Sequence, residues 1–548
     1  MTASLRPAAL AALTLAGTFA PRLAAAPAPR KTTPQRAAAP GRLVVLVVVD
    51  QLRYQDLLWL SPEFGPRGFA GLGRPAPLRY DTVVTETAAD HSVLSTGAYA
   101  ELNGIVGNRY YDEQGMHESV DDPLCPLWPE EGAATGSAPG AAASEGRSAA
   151  LLRVPTVGDA FKLGTNGQGR VVTVALKDRS ALFLGGPSAD LALWWETPEG
   201  RMTSTTCYAP EPPAWVVQHR AAHPSSEWKD WVWTPLHADV LARYVPEGRS
   251  EGAVPREVGP VFPHQVGRGK VDRALFTALR NSPAGTTIAL QAAQSAATAL
   301  GLGERGSTDL LAVGLPSVDT VGHQFGTVSR ERVDAILRVH EELSAFLDGL
   351  RARLGPRLSI VLTADHGLTP MASDERRLHA PGGTIDLDAL VKKLNAALDQ
   401  SLGVRKDGWV AGLDGSAVTL RKPHPGRAIA IAADLLRREP GLYRVVPAGE
   451  AARESSAVRH AIFPGRSGDL LLVTRPLWTL KKKADGADHG SPWNDDALVP
   501  LSVQAPGFKL HRDGRVLDAS QVAPTLAALL DTAPPAAALA DPAIARDE

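Results

Sequence analysis

The sequence predicts an α/β protein built on a doubly wound, mostly parallel sheet flanked by helices, with inserted cap regions. Apolar, β-branched runs without polar alternation occupy residues 42–49, 308–315 and 358–364, as expected of parallel strands buried on both faces. A helical apolar pattern covers 330–354, between the last two runs, and another covers 271–280. Strands that alternate with helices in this way indicate a doubly wound sheet.

Shorter patterns complete the expected architecture. Apolar runs predict strands at 78–84, 171–176, 469–474 and 498–504, and a closing helix is predicted at 520–530. The main domain is therefore expected over residues 42–385 and 456–535.

Three regions interrupt or follow this pattern. Cap and loop insertions are expected at about 112–260, where a low-complexity stretch at 130–150 precedes a Trp-rich stretch at 191–233. Residues 386–455 are interpreted as a smaller inserted cap unit, and 536–548 as a flexible tail.

The N-terminus has the pattern of an export signal. Arg6 precedes an apolar run at 8–20, and small residues suited to cleavage follow as far as residue 26. This run is too short to span a bilayer, which takes about 20 apolar residues. We therefore expect a signal peptide at 1–26, a disordered leader at 27–41, and an exported protein, periplasmic or secreted, with no membrane span.

Composition narrows the range of partners. The chain has 548 residues, 44% of them hydrophobic, which is ample for a large core. Its formal net charge is −2 and it has no basic block, so a nucleic-acid partner is not expected.

Cys125 and Cys207 are the two cysteines, and the sequence leaves open whether they pair. A monomer is expected.

Acidic residues follow the three long apolar runs. Asp50, Asp319 and Asp365 come after the runs at 42–49, 308–315 and 358–364 respectively. Ligands of open α/β sheets bind beyond the C-terminal ends of the strands, so these carboxylates are expected to meet at one edge. They would repel each other there unless a cation lay between them.

Three histidines accompany these carboxylates. His323 lies four residues after Asp319, His366 adjoins Asp365, and His489 follows Asp488 late in the chain. Carboxylates mixed with imidazoles suit zinc. A single pair of this kind is weak evidence, but the set of strand-end pairs predicts a metal site.

A hydroxyl-rich stretch at 85–91, TETAADH, lies between a predicted strand and a helix expected to begin near Asp90. Hydroxyl residues in this position often cap the helix. A hydroxyl at the sheet edge beside a helix N-terminus also favours phosphate binding, and a bound metal would turn it into a nucleophile. Thr87 is the preferred nucleophile and Thr85 its competitor, because the spacing to His91 favours Thr87.

These motifs occur together, in the order VVVDQLR, TETAADH, NGIVGN, LKDR, DTVGH, TADHG and DHGSPW, over most of residues 42–530. As a set they resemble the alkaline phosphatase superfamily, specifically its single-chain, phosphate-irrepressible branch with a threonine nucleophile. The resemblance implies a zinc-dependent hydrolase that acts on small-molecule phosphate monoesters through a phosphothreonine intermediate. The alternatives are a phosphodiesterase or nucleotide pyrophosphatase on the same metal site, and a non-catalytic protein that binds zinc or phosphate.

The resemblance also implies two Zn²⁺ ions that stabilise the attacking and leaving oxygens. The ligands of one ion would be Asp319, His323 and His489, and those of the other Asp50, Asp365, His366 and the reactive Thr87.

A cationic pair is expected to hold the phosphate. A monoester carries two negative charges, so its site needs cations besides the metals. Lys177 and Arg179 follow the predicted strand at 171–176 and point the same way if the chain stays extended. In the resembled branch such residues bind phosphate, and Asn108 of NGIVGN donates a hydrogen bond. Phosphodiesterase relatives typically lack the Lys and Arg, which favours monoesters.

Two acidic residues depart from the family pattern. Glu86 adjoins the expected nucleophile, and Ala89-Asp90 stands where family members often carry Pro-Gly or Pro-Asn. Either acid could be benign or could add negative charge beside phosphate, and the sequence leaves this open. His91 is expected to be structural, packing the nucleophile turn.

Overall fold

The computed structural model describes residues 41–129, 146–246, 258–371, 381–482 and 486–547. The predicted signal peptide (1–26), all but residue 41 of the predicted leader, and residues 130–145 of the low-complexity stretch lie outside the described residues. None of the helices in the described ranges has the length and hydropathy needed to cross a bilayer.

The main sheet of the described chain has nine strands and is mostly parallel, which confirms the predicted fold class. Its central strand, Leu43–Val49, pairs in parallel with Asp309–Leu315 and with Leu358–Thr363. Every residue of Leu43–Val49 and of Asp309–Leu315 is buried, as expected of strands covered on both faces. In spatial order the strands are Leu517–Asp518, Ala76–Arg79, Leu498–Gln504, Leu358–Thr363, Leu43–Val49, Asp309–Leu315, Val171–Ala175, Leu191–Glu196 and Arg201–Thr203.

The parallel register brings the C-terminal ends of the central strands to one edge of the sheet. Val49 lies opposite Leu315, and Gly314 lies opposite Ala175. The backbone of Asp50 continues this alignment, since its NH donates a hydrogen bond to Leu315 O. The segments that follow residues 49, 175 and 315 therefore leave the sheet side by side.

Helices flank the sheet in two groups. Ala284–Ala299 packs against Arg330–Leu354, and Thr87–Thr96 packs against Asp178–Gly185 and Val522–Leu530. The other α-helices of the described chain are Tyr54–Trp59, Gly68–Gly71, Ala100–Asn103, Val157–Gly164, Ala214–Ala222, Ala238–Tyr244, Arg273–Arg280, Ser317–Phe325, Leu387–Leu402, Gly426–Leu436, Ser456–His460 and Asn494–Ala497.

The longest of these helices, Arg330–Leu354, has the predicted bounds. It begins after Ser329, whose hydroxyl accepts a hydrogen bond from Arg332 N, and ends before Gly355 at φ 54°. The helix was predicted from its apolar pattern, and a side-chain N-cap and a glycine in the left-handed region mark its two ends in the structure.

A second sheet forms the smaller unit that was expected at 386–455. Helices Leu387–Leu402 and Gly426–Leu436 contribute to its apolar core. In spatial order its strands are Val410–Asp414, Ala417–Leu420, Leu470–Thr474 and Leu442–Pro447. The assignment of 469–474 to the main domain is therefore wrong, because an apolar strand has the same pattern whichever sheet it joins.

The insertion expected at about 112–260 is smaller than predicted. Leu191–Glu196 and Arg201–Thr203, from the Trp-rich stretch, extend the main sheet, and Trp194 is fully buried. Aromatic side chains of this size bury a large area in a core as readily as in a cap. Cys125 and Cys207 form a disulfide, which answers the question of pairing that the sequence left open.

Two other boundaries differ from prediction. The strand expected at 78–84 is Ala76–Arg79, because Val83 and Val84 pack in a separate apolar cluster instead of continuing the sheet. The tail expected to be flexible at 536–548 contains Ile544–Arg546, which pairs antiparallel with Phe508–Leu510.

The other two-stranded sheets of the described chain pair Arg109–Tyr111 with Met116–Glu118, Asp121–Pro126 with Gly146–Arg147, Val232–Trp233 with His264–Gln265, and Gly383–Asp386 with Trp478–Lys481.

Candidate active site

Asp50 and Asp365 lie buried at the edge of the main sheet. Asp365 Oδ1 accepts hydrogen bonds from Gln51 N at 3.0 Å and from His366 N at 2.8 Å. Among the described residues, Asp365 Oδ2 and Asp50 Oδ1 accept no hydrogen bond, and Asp50 Oδ2 has only the ammonium of Lys177 nearby, at 3.1 Å. Buried carboxylate oxygens without donors are costly in a folded protein, so a cation is the natural partner for them.

Thr87 is the first residue of the helix Thr87–Thr96, which therefore begins three residues before the predicted Asp90. Its Oγ1 lies 3.5 Å from His366 Nε2 and accepts a hydrogen bond from Lys177 Nζ at 3.2 Å. The hydroxyl of Thr85 is already engaged, since it donates to Ser491 O at 3.0 Å. Of the two threonines, Thr87 is thus the one that faces the acidic and basic groups of the site.

Asp319, His323 and His489 form a second group. Asp319 and His323 lie one turn apart on the helix Ser317–Phe325, and His323 Nε2 is 3.2 Å from Asp319 Oδ1. His489 Nε2 lies 3.9 Å from the same oxygen. The ring of His489 also stacks on that of His366, with centroids 3.6 Å apart, so the two ligand groups adjoin.

The three histidines share one orientation. Their Nδ1 atoms lie 2.7–3.0 Å from backbone carbonyl oxygens, which can only accept, so each Nδ1 carries a proton and each Nε2 is the ring nitrogen that faces a carboxylate of the site. The carbonyls belong to Ala487, Gly367 and Thr85 for His323, His366 and His489 respectively. A backbone acceptor on the far nitrogen is the usual arrangement for imidazoles that bind metal through Nε2.

The pKa values of the site fit the same conclusion. Burial, with repulsion from Asp365, raises the pKa of Asp50 to about 6, and burial raises that of Asp365 to about 7. Burial lowers the pKa of His366 to about 3, which keeps the imidazole neutral. Carboxylates and imidazoles are ligand types that bind divalent cations, and groups of these residues lie close enough together to hold one, so they form a candidate divalent metal site.

Lys177 is the cation nearest to these carboxylates. Its Nζ lies 2.7 Å from Asp319 Oδ2 and 3.1 Å from Asp50 Oδ2. Burial disfavours the charged form of Asp319, yet Lys177 and His323 hold its pKa well below the ordinary value. The ammonium therefore balances two carboxylates while it also contacts the Thr87 hydroxyl.

Arg179 reaches the site by a different route from the one predicted. The chain after Lys177 is not extended, because Lys177 precedes the first turn of the helix Asp178–Gly185 and Arg179 lies within that turn. Both side chains nevertheless line one cavity with Thr87 and Asn108. The helix start lies at the edge of the sheet, so its first residues adjoin the metal ligands.

Asn108 and Glu86 are coupled. Asn108 Oδ1 accepts a hydrogen bond from Ala88 N at 3.0 Å, which leaves the side-chain NH₂ as a donor for a ligand. Glu86 Oε2 accepts from Asn108 N at 2.7 Å, and burial together with Asp414 raises the pKa of Glu86 to about 7. Glu86 thus fixes the loop that carries Asn108.

Burial disfavours a negative charge on Asp90. It is completely buried, and burial with repulsion from Asp365 raises its pKa well above the ordinary value. His91, expected to be structural, donates from Nδ1 to Thr87 O at 2.9 Å. Its Nε2 also lies 3.6 Å from Asp50 Oδ1, closer to the metal ligands than the sequence suggested.

A buried network behind the ligands was not predicted. Gln51 Nε2 donates to Asp319 Oδ1 at 2.9 Å, and Arg332 Nη1 donates to Gln51 Oε1 at 2.8 Å. Arg332 also pairs with Asp56 at 2.7 Å. These partners are hundreds of residues apart in the chain, so no local pattern could have revealed them; the left-handed φ of 66° at Gln51 is the backbone feature that turns its side chain back.

The cavity in front of the ligands has a volume of about 250 Å³. Predicted site residues form much of its lining, but four further polar residues were missed, because three belong to no motif and Thr320 was not singled out within DTVGH. These are Arg280, Asn281, Thr320 and Gln324.

A hydroxyl at a helix start, a divalent metal site at the strand ends and a cationic pair beside them define a phosphoric ester hydrolase of the alkaline phosphatase superfamily. The family model for type I phosphodiesterase / nucleotide pyrophosphatase matches residues 44–493. The chain belongs to this family.

Individual relatives cover nearly the whole chain. The "Alkaline phosphatase PhoK" of Sphingomonas sp is 30% identical over 525 residues, which are 90% of this chain and 89% of that protein. A protein named "Calcium-transporting ATPase" from Myroides odoratus is 29% identical over 516 residues, 89% of this chain and 91% of that one. The crystal structure of wild-type alkaline phosphatase PafA matches with a TM-score of 0.83 and 25% identity, covering 92% of this chain and 99% of that one.

Proposed function

We propose that the protein is a zinc-dependent alkaline phosphatase that hydrolyses phosphate monoesters through a phosphothreonine intermediate on Thr87. The observation that carries the proposal is the Thr87 hydroxyl, placed at a helix start 3.2 Å from Lys177 Nζ and 3.5 Å from His366 Nε2. The relatives named alkaline phosphatase, PhoK and PafA, support the same activity.

Two ligand groups would hold the zinc ions. They are Asp319, His323 and His489 on one side, and Asp50, Asp365, His366 and Thr87 on the other. Zinc bound there supplies Lewis acidity and lowers the pKa of an oxygen bound to it.

The chain's own residues account for the nucleophile. The Thr87 Oγ1 accepts a hydrogen bond from Lys177, so the ammonium stabilises negative charge as the hydroxyl loses its proton. The N-terminus of the helix Thr87–Thr96 adds a positive potential at the same point. Oγ1 then attacks phosphorus while the bond from phosphorus to the oxygen of the leaving alcohol breaks. Water attacks the resulting phosphothreonine in a second displacement, which breaks the bond to Oγ1, releases inorganic phosphate and restores Thr87.

The remaining polar residues bind the transferred phosphoryl group. Lys177, Arg179 and the side-chain NH₂ of Asn108 are donors that line the cavity beside Thr87. A monoester dianion has three non-bridging oxygens and two charges to satisfy, whereas a diester has two such oxygens and one charge. This cationic pair supports a monoesterase over the alternative, a phosphodiesterase or nucleotide pyrophosphatase, which the family name also allows.

We also propose that the protein is exported to the periplasm or secreted, and acts as a monomer on small-molecule esters without a nucleic-acid partner. The Cys125–Cys207 disulfide supports an oxidising compartment, since such bonds are rare in the cytosol.

The proposal is tested by hydrolysis of p-nitrophenyl phosphate and bis-p-nitrophenyl phosphate by the purified holoenzyme. We expect the monoester to have the higher kcat/KM, a chelator to abolish phosphate release, and Zn²⁺ to restore it better than Mg²⁺, Ca²⁺ or Mn²⁺. Preference for the diester would support the phosphodiesterase alternative, and recovery with another metal would reject zinc.

A further inference from the structure

Arg280 lines the active-site cavity, although the proposed mechanism gives it no role. It is the last residue of the helix Arg273–Arg280, and its side chain is half-buried. Among the described residues, none accepts a hydrogen bond from the guanidinium of Arg280, and none forms an ion pair with it. A cation in the last turn suits the helix dipole, but that role requires neither burial nor a place in the cavity wall.

The position of Arg280 relative to the two ligand groups is set by Gln324. Gln324 Nε2 donates to the carbonyl of Asn281, the next residue, at 3.1 Å, and to Thr320 O at 2.7 Å. Gln324 and Thr320 belong to the helix Ser317–Phe325, which carries Asp319 and His323. Arg280 is therefore tied, through Gln324, to the helix that carries Asp319 and His323.

In an in-line displacement the leaving group departs on the side away from the nucleophile. Thr87 and Arg280 line the same cavity, so a leaving group that departs away from Thr87 enters the space that Arg280 borders. Lys177, which contacts Thr87, and Arg179 are available to the transferred phosphoryl group.

The electrostatic setting of Arg280 favours an anion. Burial, together with the positive charge of Arg179, lowers the pKa of Arg280, although Asp178, Asp319 and Glu196 act in the opposite direction. Among the described residues, the guanidinium of Arg179 makes only loose ion pairs, at 3.7 Å to Glu118 and 3.6 Å to Asp178. Two guanidinium groups on one cavity wall repel each other, and an anion bound between or beside them removes that cost.

We propose that Arg280 is a specificity residue that binds a second anionic group, a carboxylate or a phosphate, on the leaving group of the ester. The inference rests on the proposed function and names its substrate class: phosphate monoesters of small hydroxy acids and of already phosphorylated alcohols. The planar guanidinium suits both anions, because it donates two parallel hydrogen bonds to either.

The test compares esters that differ in the charge of the leaving group. 2-Phosphoglycerate has a carboxylate where glycerol 2-phosphate has a CH₂OH group, and the two esters are otherwise alike. Fructose 1,6-bisphosphate has one phosphate more than fructose 6-phosphate. The leaving group of phosphoethanolamine carries a cation. The holoenzyme is assayed as wild type and as Arg280→Gln, Arg280→Lys and Arg273→Gln. Arg273 is a matched control, since it is exposed at the other end of the same helix.

We expect Arg280→Gln to lower kcat/KM about tenfold or more for 2-phosphoglycerate, for fructose 1,6-bisphosphate or for both, as loss of a charge-assisted hydrogen bond predicts. Glycerol 2-phosphate should change less than threefold, and phosphoethanolamine should not lose activity. A loss on 2-phosphoglycerate identifies the bound anion as a carboxylate, and a loss on fructose 1,6-bisphosphate identifies it as a phosphate. Arg280→Lys should fall between wild type and Arg280→Gln, and Arg273→Gln should match wild type.

An equal loss on all five esters, or no loss on any, overturns the inference. In both cases hydrolysis of glycerol 2-phosphate by the wild type shows that the proposed function stands. If the wild type releases phosphate from none of the esters, the proposed function fails and the inference fails with it.

Discussion

Gln51 Nε2 donates a hydrogen bond of 2.9 Å to Asp319 Oδ1, although the two residues stand 268 positions apart in the chain. The backbone NH of Gln51 donates to Asp365 Oδ1 at 3.0 Å. One residue thus orients a carboxylate in each of the two ligand groups. Arg332 holds it in place from behind, at 2.8 Å from Gln51 Oε1.

Replacing Gln51 should therefore weaken metal binding without removing a ligand. We expect Gln51→Leu to reduce metal affinity by about 10- to 100-fold, the usual effect of losing a residue that orients ligands. Affinity is measured by competition with a chromogenic chelator. Gln55→Leu, which breaks a hydrogen bond to Asp495 on the nearby helix, is the control and should bind metal like the wild type. Unchanged affinity in Gln51→Leu would contradict the orienting role.

Thr87→Ala should abolish turnover while metal stays bound. The side chain supplies the attacking oxygen, whereas six other predicted ligands are retained. Acid-quenched wild type should carry phosphate on Thr87, detected by peptide mass spectrometry, and Thr87→Ala should carry none. Thr85→Val removes the neighbouring hydroxyl and serves as the control. Phosphate on Thr85, or activity in Thr87→Ala, would reject Thr87 as the nucleophile.

The cationic pair should matter more for monoesters than for diesters. We expect Lys177→Ala with Arg179→Ala to lower kcat/KM for p-nitrophenyl phosphate by about 10²- to 10³-fold, as for loss of transition-state donors. The loss for bis-p-nitrophenyl phosphate should be at least tenfold smaller, since a diester presents one charge fewer. A matched loss on both substrates would show that the pair acts on the metal site and not on the phosphoryl charge.

Asp496 should make stability depend on pH. Burial raises its pKa to about 7 in the folded protein, against about 3.9 when unfolded, although Ser491 and Thr369 donate hydrogen bonds to it. The folded state therefore holds one proton more than the unfolded state between these values. Its contribution to stability is complete below pH 4 and is lost as pH rises toward 7, by about 1.4 kcal/mol per pH unit.

Urea unfolding of the holoenzyme between pH 5 and 8 measures this effect. The free energy of unfolding of Asp496→Asn should fall less steeply with pH, up to pH 7, than that of the wild type. Asp388→Asn, at an exposed site, should keep the wild-type slope. Parallel curves for wild type and Asp496→Asn would show that Asp496 is ionised throughout.

The sequence by itself determined the sheet and the chemistry at its edge. Unbroken apolar runs specify strands buried on both faces, and the C-terminal ends of parallel strands must share an edge, so Asp50, Asp319 and Asp365 could be placed together. The helix Arg330–Leu354 followed from its own apolar pattern. These features depend on neighbours in the chain or on a rule that holds for any parallel sheet.

The tertiary structure decided what depends on distant partners. Leu470–Thr474 joined the second sheet because packing, not pattern, selects the sheet. Glu86 accepts a hydrogen bond from the backbone of Asn108, and burial raises the pKa of Asp90 well above its ordinary value. The sequence of a carboxylate residue reveals neither effect. Arg280 entered the cavity only because the helix that ends there packs beside the metal ligands. Interactions between residues close in sequence determine the helices and strands and where they end. Contacts between different helices and strands form only in the folded chain, so they cannot be predicted from any one segment.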